Sequence, residues 1–375
     1  MRYLSTTGEF CFGGRPRPGF PLLLADNMEP VEPAQEYLTW KLLERGRHLS
    51  PLTWDAYGRR MWDYFSFLAA NGFRWEDAGG PRSRDPITAY RDWSLGELQL
   101  DRSTVNARIR LVLDFYRWAA KRGLIDWGGH DAPLSLRSHR EGMLSHLGRT
   151  AEQATSNLVT REWERSPEFL SLEQVRECRN ACLTPGERLL FDLMVRVGLR
   201  ASEARTFPVT YIKPVGKAHR GMIHLRLQPK HMELKFQKER VVDVPADLME
   251  ELHLYAGYER NRLSSASMTS SQVIVLNRDG HPFSRGTLIA SFGRLSERVG
   301  YRVRPLMLRH SYAVHTLAAL RRSAAFTGEP LLYVRDRMGH SSIQTTAIYL
   351  RQVEQLEGSL ALAMDLEFSQ LFGAS

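Results

Sequence analysis

Two segments of the chain carry apolar residues at the spacing of an amphipathic helix, and each is bounded by start and stop signals. The first begins at Ser50, a favoured N-cap residue, with Pro51 at the first helical position, and it stops at Gly72. The second runs from Ser103 as its cap to Gly123. Their apolar faces are Tyr57, Met61, Tyr64, Phe65 and Leu68, and Val105, Ile109, Val112 and Tyr116, respectively. Such faces must be covered, so the pattern predicts a small helical domain over residues 29–130.

The stretches on either side of this region differ from it in composition. Residues 1–28 are rich in glycine and proline, with short β-prone pieces, and are predicted to form an N-terminal arm. Residues 131–165 mix glycine, serine and charge with little periodicity, which is typical of a linker. A second domain is predicted over residues 166–375, and two domains suit a chain of 375 residues. Its tail is predicted to be a short helix whose apolar face is Ala361, Met364, Phe368, Leu371 and Phe372.

The second domain opens with helix signals. Two capping boxes are present, Ser171 with Gln174 and Thr184 with Glu187. Gly198 is the residue type expected just after a helix C-terminus, and a new helix is predicted to start near Ser202. Arg200 therefore lies on the corner between two helices. An arginine at such a corner often has only a structural role, bonding carbonyl groups that the helix leaves free.

Strand signals follow these helices. Residues 221–228, GMIHLRLQ, alternate apolar and polar side chains, which predicts a strand. Residues 233–245, ELKFQKERVVDVP, are interpreted as a following β-hairpin with Lys235 near its turn, where a lysine often only protects a sheet edge. The predicted fold class is therefore mainly α with a small antiparallel β-sheet (α+β).

Basic residues exceed acidic ones, and the excess is clustered. The formal net charge is +9, and residues 213–240 contain eight Lys or Arg against two acids. Clustered positive charge favours a polyanionic partner, most simply double-stranded DNA, although charged runs are often just solvated faces. The predicted DNA contacts are Arg59 and Arg60, which lie off the first apolar face, Arg108 and Arg110 on the second helix, and Lys238 and Arg240 in the basic stretch.

Other classes of protein are disfavoured by what the sequence lacks. It has no run of eighteen apolar residues for a membrane span and no apolar core of a secretory signal at its start. The three cysteines have no partners at zinc-ligand spacing, and no carboxylate cluster suits Mg²⁺. We therefore expect a protein of the reducing cytoplasm.

Near the C-terminus the chain reads MGHSSIQTTAIYLR, with His340 and Tyr349 nine residues apart. Three other stretches precede it in a characteristic order: GLRASEA, LKFQKERVV and LRHSYAVHTL. Together these four stretches resemble the motifs of the tyrosine site-specific recombinases, the phage-integrase family. The resemblance is close over about residues 166–355. It is weaker in the preceding helical region, which is similar in plan to the core-binding domain of that family.

The resemblance implies roles for the residues that match the motifs. Arg200 and Arg309 would grip the scissile phosphate, because planar guanidinium groups pair well with phosphate oxygens. Glu203 would orient Arg200, and His340 would hydrogen-bond the phosphate. Tyr349 would attack phosphorus and form a 3′-phosphotyrosyl bond.

The resemblance also implies how the reaction is completed and what takes part in it. Lys235 would act as general acid to the departing 5′ oxygen. Four protomers would assemble on two specific DNA sites, with possible accessory proteins, for integration or excision of a mobile element. The reaction would need no metal and no other cofactor. The protein would be cytoplasmic and associated with the nucleoid.

The sequence departs from the family pattern in one place. The family usually has a histidine three residues before the second arginine, and this chain has Leu306. His310, taken as a supporting residue, points about 100° away from Arg309 on a helix and is interpreted as a poor substitute; Arg304 and His315 are not at the right spacing. Residues 318–337 form an insertion of unassigned role. A non-catalytic or weakly active DNA-binding member of a recombinase set, or nicking and rejoining of the type IB topoisomerase kind, therefore remain alternatives.

Overall fold

The computed structural model describes residues 1–45, 50–78, 85–127, 158–160, 166–215 and 221–357. The chain divides into two compact units, Met1–Glu164 and Arg165–Ser375. Each unit has its own buried apolar core. The predicted tail helix, and most of the predicted linker, lie outside the described residues.

The first unit combines two small β-ladders with helices. Its elements are β1 (Arg2–Ser5), β2 (Cys11–Phe12), β3 (Arg15–Pro16), β4 (Pro21–Leu24), α1 (Glu32–Thr39), which a π-helical turn (Trp40–Glu44) extends, α2 (Pro51–Ala70), a 3-10 turn (Trp75–Asp77), α3 (Pro86–Gly96) and α4 (Arg102–Lys121). Strand β1 pairs antiparallel with β4, and β2 pairs antiparallel with β3.

The two long predicted helices are α2 and α4. Ser50 caps α2, its Oγ accepting a hydrogen bond from the Thr53 amide at 3.4 Å. Helix α4 begins after Asp101, two residues before the predicted cap Ser103. The predicted apolar faces are buried, except that Tyr57 is only partly so. Between the helices the Tyr64 and Tyr116 hydroxyl groups share a hydrogen bond of 2.7 Å, which satisfies two polar groups inside this core.

The N-terminal strands lie against α2. Gly58 of α2 faces Pro21 and Tyr3, and a Cβ placed at Gly58 would come within 2.3 Å of the Pro21 Cβ. The Tyr3 hydroxyl donates to Asp55 Oδ1 at 2.8 Å. The β-prone pieces of residues 1–28 therefore pack on the helical domain through a close approach that only glycine permits.

The second unit is mainly helical. Its elements are α5 (Leu172–Asn180), α6 (Pro185–Arg196), α7 (Ala201–Arg205), a 3-10 turn (Val209–Tyr211), β5 (Met222–Leu227), a second 3-10 turn (Lys235–Gln237), β6 (Arg240–Pro245), α8 (Ala246–Tyr255), a π-helical turn (Ala256–Arg260), α9 (Asn261–Ser267), α10 (Arg285–Val299), α11 (Pro305–Arg322), α12 (Pro330–Met338) and α13 (Gln344–Glu357). The predicted α+β class is confirmed, because helices dominate and the described ladders are short, two-stranded and antiparallel.

The predicted hairpin within residues 233–245 is wrong. Strand β6 pairs instead with β5, with Met222 opposite Pro245 and Leu227 opposite Arg240. Residues 228–239 form the connection, where Phe236 (φ 59°) and Gln237 (φ 52°) adopt left-handed backbone conformations that no strand continues through. Lys235 therefore lies in a loop between the two strands.

Helix α11 positions the remainder of the second unit. It packs on α6 and also contacts α12 and α13. Gly198, at φ 71°, sits so close to the Tyr312 ring of α11 that an added Cβ would lie 2.4 Å from it. The chain can therefore turn from α6 into α7 beside α11 only with glycine at this corner. Within the described residues, every helix is too short or too polar to cross a bilayer.

Candidate active site

A buried carboxylate organises the cluster of charged residues in the second unit. Glu203, at the third position of α7, has no exposed side-chain surface. Its Oε2 accepts from the Arg200 backbone amide at 2.7 Å, and its Oε1 accepts from Arg200 Nη1 at 2.9 Å. The carboxylate therefore both caps the short helix and orients the Arg200 side chain.

Arg240 is a second partner of this carboxylate. Its Nη1 donates to Glu203 Oε1 at 2.8 Å and its Nη2 donates to Oε2 at 2.5 Å, a bidentate pair. Its Nε donates to the Arg337 carbonyl at 3.0 Å. Burial raises the pKa of Glu203, but the bonds and charge of Arg240, with the charges of Arg309 and Arg200, lower it to about 2. The carboxylate is therefore ionised at any physiological pH.

The DNA contact of Arg240 stays a prediction, and within the protein the side chain already has three hydrogen-bond partners. The side chain is only 6% exposed, and all three of its guanidinium nitrogens donate to protein oxygens. The cause is the register of β6, which turns Arg240 towards α7 and the end of α12. Arg240 is a buried part of the site's framework.

Arg200 and Arg309 meet at the C-terminal end of α12. Arg200 Nη2 donates to the Met338 carbonyl at 3.3 Å, and Arg309 Nη2 donates to the same oxygen. Arg309 Nη1 donates to the Gly198 carbonyl at the corner before α7. Burial, together with the charge of Arg200, lowers the pKa of Arg309 to about 9, which leaves it charged at neutral pH. The arrangement places two guanidinium groups side by side despite their repulsion.

His340 follows directly on this helix end. Gly339 ends α12 in the left-handed conformation, at φ 62°, and the His340 amide bonds back to the Arg335 carbonyl at 3.0 Å. The His340 Nδ1 lies 2.9 Å from the Thr346 Oγ1 of α13. Burial and the charges of Arg309 and Arg200 lower the pKa of His340 to about 4, so the ring is neutral at physiological pH.

Tyr349 lies beside both histidines of the site. Its ring stacks on that of His340, with centroids 6.4 Å apart and planes 19° from parallel. Its hydroxyl lies 2.8 Å from the His310 Nδ1 of α11. The residue is only 2% exposed, and burial raises its pKa to about 12 although Arg309 and Arg200 act in the opposite direction.

The rotation of about 100° by which His310 is interpreted as a poor substitute also gives this residue a contact of its own. The helical rotation that turns His310 away from the direction of Arg309 is the rotation that brings it to Tyr349, because α13 packs on that side of α11. Leu306 is 61% exposed, so the family's usual histidine position faces solvent here. His315 Nε2 bonds the Leu170 carbonyl at 2.7 Å and has a structural role, and Arg304 is the exposed cap of α11.

Lys235 and Lys238 are not brought into the cluster. Both side chains are exposed on the β5–β6 connection. The Lys235 ammonium lies 5.0 Å from the centre of the Phe236 ring, and within the described part of the chain it makes no hydrogen bond or ion pair. It is thus free to meet a substrate.

The predicted DNA contacts of the first unit divide into two kinds. Arg59 is paired with Asp55 at 2.9 Å and lies over the Tyr3 ring, and Arg108 donates to Asp63 at 2.5 Å with its side chain 19% exposed. The phosphate contacts of these two arginines stay predictions, although each charge already has a carboxylate partner within the protein. Arg60 and Arg110 line an open cleft of about 340 Å³, with Lys41 and Arg117 among the other lining residues.

The described residues contain no group of three or more His, Cys, Asp or Glu side chains placed to share a metal ion. The side chains collected in the second unit are instead three arginines, a buried carboxylate, two neutral histidines and a tyrosine.

Comparison with known proteins identifies the family that carries this arrangement. The model of the phage integrase family matches residues 168–355, which contain every residue of the cluster. The chain belongs to the phage integrase family. The tyrosine-recombinase resemblance seen in the motifs is therefore confirmed.

Relatives of the integrase family align with most of the chain. Tyrosine recombinase XerC of Roseiflexus castenholzii is 25% identical over 308 residues, covering 81% of this chain and 84% of the relative. Transposase A from transposon Tn554 of Staphylococcus aureus is 23% identical over 340 residues, covering 87% of this chain and 88% of the relative. These relatives are recombinases and transposases, and the chain is a site-specific recombinase of the same broad kind.

Solved integrase structures share the fold. The XerH site-specific recombinase bound to palindromic difH substrate matches with a TM-score of 0.55 at 17% identity, covering 84% of this chain and 82% of that one. A lambda integrase dimer bound to a COC′ core site matches with a TM-score of 0.53 at 14% identity, covering 84% of this chain and 93% of that one. The two-domain architecture expected from the sequence is that of these recombinases.

Proposed function

We propose that this recombinase cleaves and rejoins duplex DNA through a covalent bond between Tyr349 and a 3′ phosphate. The observation that carries the proposal is the position of the Tyr349 hydroxyl, bonded to His310 and close to the two arginines that meet at Met338. Support also comes from the motif MGHSSIQTTAIYLR, whose resemblance to the family implies the same residue.

Arg200 and Arg309 are proposed to hold the scissile phosphate. Each guanidinium has five N–H groups, and the bonds to Glu203, Gly198, Met338 and Gly339 use only some of them. The remaining N–H groups can bind non-bridging phosphate oxygens, with their orientation already fixed by the bonds to protein. Fixed positive charge of this kind stabilises the additional negative charge of the transition state.

His340 is proposed to donate a hydrogen bond to the phosphate. When its Nδ1 accepts from the Thr346 hydroxyl, the proton of the neutral ring resides on Nε2. The low pKa of about 4 keeps the ring in this neutral form. Thr346 would thus select the tautomer that presents an N–H donor.

The chemical step transfers phosphorus from one oxygen to another. The Tyr349 oxygen forms a bond to phosphorus, the bond from phosphorus to the 5′ oxygen breaks, and the phenol loses a proton while the leaving oxygen gains one. We assign the second proton to Lys235, whose exposed ammonium is unpaired within the described residues. Religation reverses these transfers.

The test is covalent capture on a nicked DNA substrate that traps the phosphotyrosyl bond. Tyr349→Phe should keep specific DNA binding and lose the adduct, because only the nucleophilic hydroxyl is removed. Tyr312→Phe is the matched control, since Tyr312 is a buried tyrosine of the same packing cluster and should retain the adduct. An adduct formed by the Tyr349→Phe protein would overturn the assignment. Failure of the unaltered protein to form any adduct would favour a non-catalytic DNA-binding member.

The biological setting is proposed from the relatives. Similarity to transposase A from transposon Tn554 supports integration or excision of a mobile element, and the neighbours solved on DNA support a duplex partner and assembly of several protomers. We propose a tetramer on two recombination sites, in the cytoplasm with the nucleoid. Recombinant products on paired sites would support this assembly, whereas relaxation of supercoiled DNA without paired sites would favour the topoisomerase alternative.

A further inference from the structure

We propose that His310 is the catalytic base that takes the proton from the Tyr349 hydroxyl during cleavage and returns it during religation. This inference rests on the proposed nucleophilic role of Tyr349 and adds a residue to that reaction. It starts from the hydrogen bond of 2.8 Å between the Tyr349 oxygen and His310 Nδ1. That distance is within the range in which a proton passes directly between a side chain and its base.

The other polar groups near Tyr349 are poorly placed to accept the proton. His340 lies with its ring plane nearly parallel to that of Tyr349, and its Nδ1 is engaged with Thr346. The Glu203 carboxylate is held by Arg200 and Arg240. The position where the family usually has a histidine holds Leu306, whose side chain cannot accept a proton and faces solvent. His310 is therefore the described residue whose lone pair meets the reacting oxygen.

The protonation state of His310 suits an acceptor. Burial and the charge of Arg309 lower its pKa to about 4, while Glu168 acts in the opposite direction. The ring is therefore neutral at physiological pH. With a proton on Nε2, its Nδ1 accepts from the phenol, which is the arrangement needed before transfer.

The bound phosphodiester would make His310 a stronger base. Its negative charge between Arg200 and Arg309 offsets the positive field that disfavours an imidazolium ion. Transfer of the proton to Nδ1 then occurs as the bond from oxygen to phosphorus forms. In religation the imidazolium gives the same proton back to the tyrosine oxygen as the 5′ hydroxyl displaces it, so one residue serves both directions.

A simpler role for His310 would be to hold the Tyr349 side chain in place. Glutamine distinguishes the two roles, because its amide can keep a hydrogen bond to the phenol but cannot take a proton at neutral pH. His310→Gln should therefore slow single-turnover cleavage by about 10²- to 10⁴-fold, the usual contribution of a positioned base. His315→Gln is the matched control, since it makes the same change on the same helix at a histidine that bonds only a backbone carbonyl.

Two further measurements separate a base from a positioning residue. Added imidazole should restore cleavage to His310→Ala in proportion to its unprotonated concentration, which a lost packing contact would not allow. The His310→Gln rate should rise with pH as the phenol ionises, while the unaltered protein should be nearly independent of pH above neutrality. The groups that also affect this titration are Arg309, Glu168, His340 and Tyr349 itself.

The outcomes distinguish this inference from the function on which it rests. If Tyr349→Phe still forms the covalent adduct, the proposed function fails. If Tyr349→Phe loses the adduct but His310→Gln cleaves within tenfold of the His315→Gln control, only the base assignment is overturned. Should the alanine variant fail to fold, the glutamine variant and its pH profile decide the matter alone.

Discussion

Replacing Arg240 with leucine should destabilise the second unit by several kilocalories per mole. The change removes the two hydrogen bonds, of 2.8 and 2.5 Å, that Arg240 donates to the fully buried carboxylate of Glu203. Glu203 is then held only by Arg200, with Arg309 nearby. Breaking a buried ion pair by removing one partner costs about 3–5 kcal/mol. The pKa of Glu203, lowered from 4.5 to about 2, corresponds to about 3 kcal/mol of net stabilisation of its charged form. The two figures agree in size.

The same pKa predicts how this loss depends on pH. Because the folded pKa of Glu203 lies below the unfolded value of 4.5, its charge stabilises the fold fully above that pH. The contribution falls as the pH drops from 4.5 towards 2. Without Arg240 the carboxylate has a higher folded pKa and less of this stability to lose. The difference in unfolding free energy between the two proteins should therefore be largest near neutral pH and shrink in acid.

The two units can be followed separately in this experiment. All eight tryptophans of the sequence precede residue 165, so tryptophan fluorescence follows the first unit, while far-UV circular dichroism follows both. Arg240→Leu should shift the dichroism transition and leave the fluorescence transition in place. The control is Arg226→Leu on β5, whose side chain is 69% exposed and paired with Glu239, and which should cost at most about 1 kcal/mol. Equal stabilities of the two variants, or a difference that does not shrink in acid, would refute the reasoning.

Three further changes test other parts of the molecule. Lys235→Ala should cleave ordinary DNA poorly but recover on DNA with sulfur at the 5′ bridging position, because a thiolate leaves without a proton; equal defects on both substrates would argue against a general acid. Leu306→His should leave the melting temperature unchanged, since the side chain is 61% exposed, and should not speed cleavage if His310 already accepts the proton; a tenfold gain in rate would contradict this. A chain ended after Glu357 should fold and bind a single site but recombine paired sites weakly, because we expect the tail to dock on a neighbouring protomer; normal recombination would rule that out.

Local signals predicted the helices well because each is decided by residues close in sequence. Ser50, Ser171 and Thr184 each cap the helix that their sequence context indicated. The start of α4 was displaced because Asp101 precedes Ser103 and is an equally good cap residue. Boundaries of this kind depend on which of two neighbouring caps the first turn uses.

The pairing of β6 and the roles of Arg240 and His310 depend on contacts distant in sequence. Nothing near Arg240 indicates that its charge belongs to Glu203, 37 residues earlier, since the pair forms only when β6 takes its register against β5. His310 and Tyr349 are 39 residues apart and meet because α13 packs on α11. The helical angle of 100° could have identified the face of α11 on which His310 lies, but not the partner that covers that face.

Residues 318–337, predicted to be an insertion of unassigned role, contain most of α12 and hold the end of that helix. Tyr333 and Arg337 of α12 both donate to Asp243 of β6, a carboxylate only 4% exposed. Arg240, three residues earlier on the same strand, donates to the Arg337 carbonyl. Strand β6 thus holds the end of α12. The next carbonyl along the chain, that of Met338, accepts hydrogen bonds from Arg200 and Arg309, the two arginines proposed to bind phosphate.

The charges fixed by this framework suit the reaction at phosphorus. Arg200, Arg240 and Arg309 carry three positive charges around the single negative charge of Glu203, which leaves a net charge of +2, and His340 is neutral. A phosphodiester brings one negative charge, and attack by a tyrosine oxygen that has lost its proton brings a second to the five-coordinate phosphorus. The bound substrate therefore leaves a net charge of +1. With His310 as the base, the proton of Tyr349 stays within the site, so this net charge is unchanged while the second negative charge collects on phosphorus. Because the buried framework holds these charges in place before DNA arrives, the additional charge is stabilised without further reorganisation of the protein.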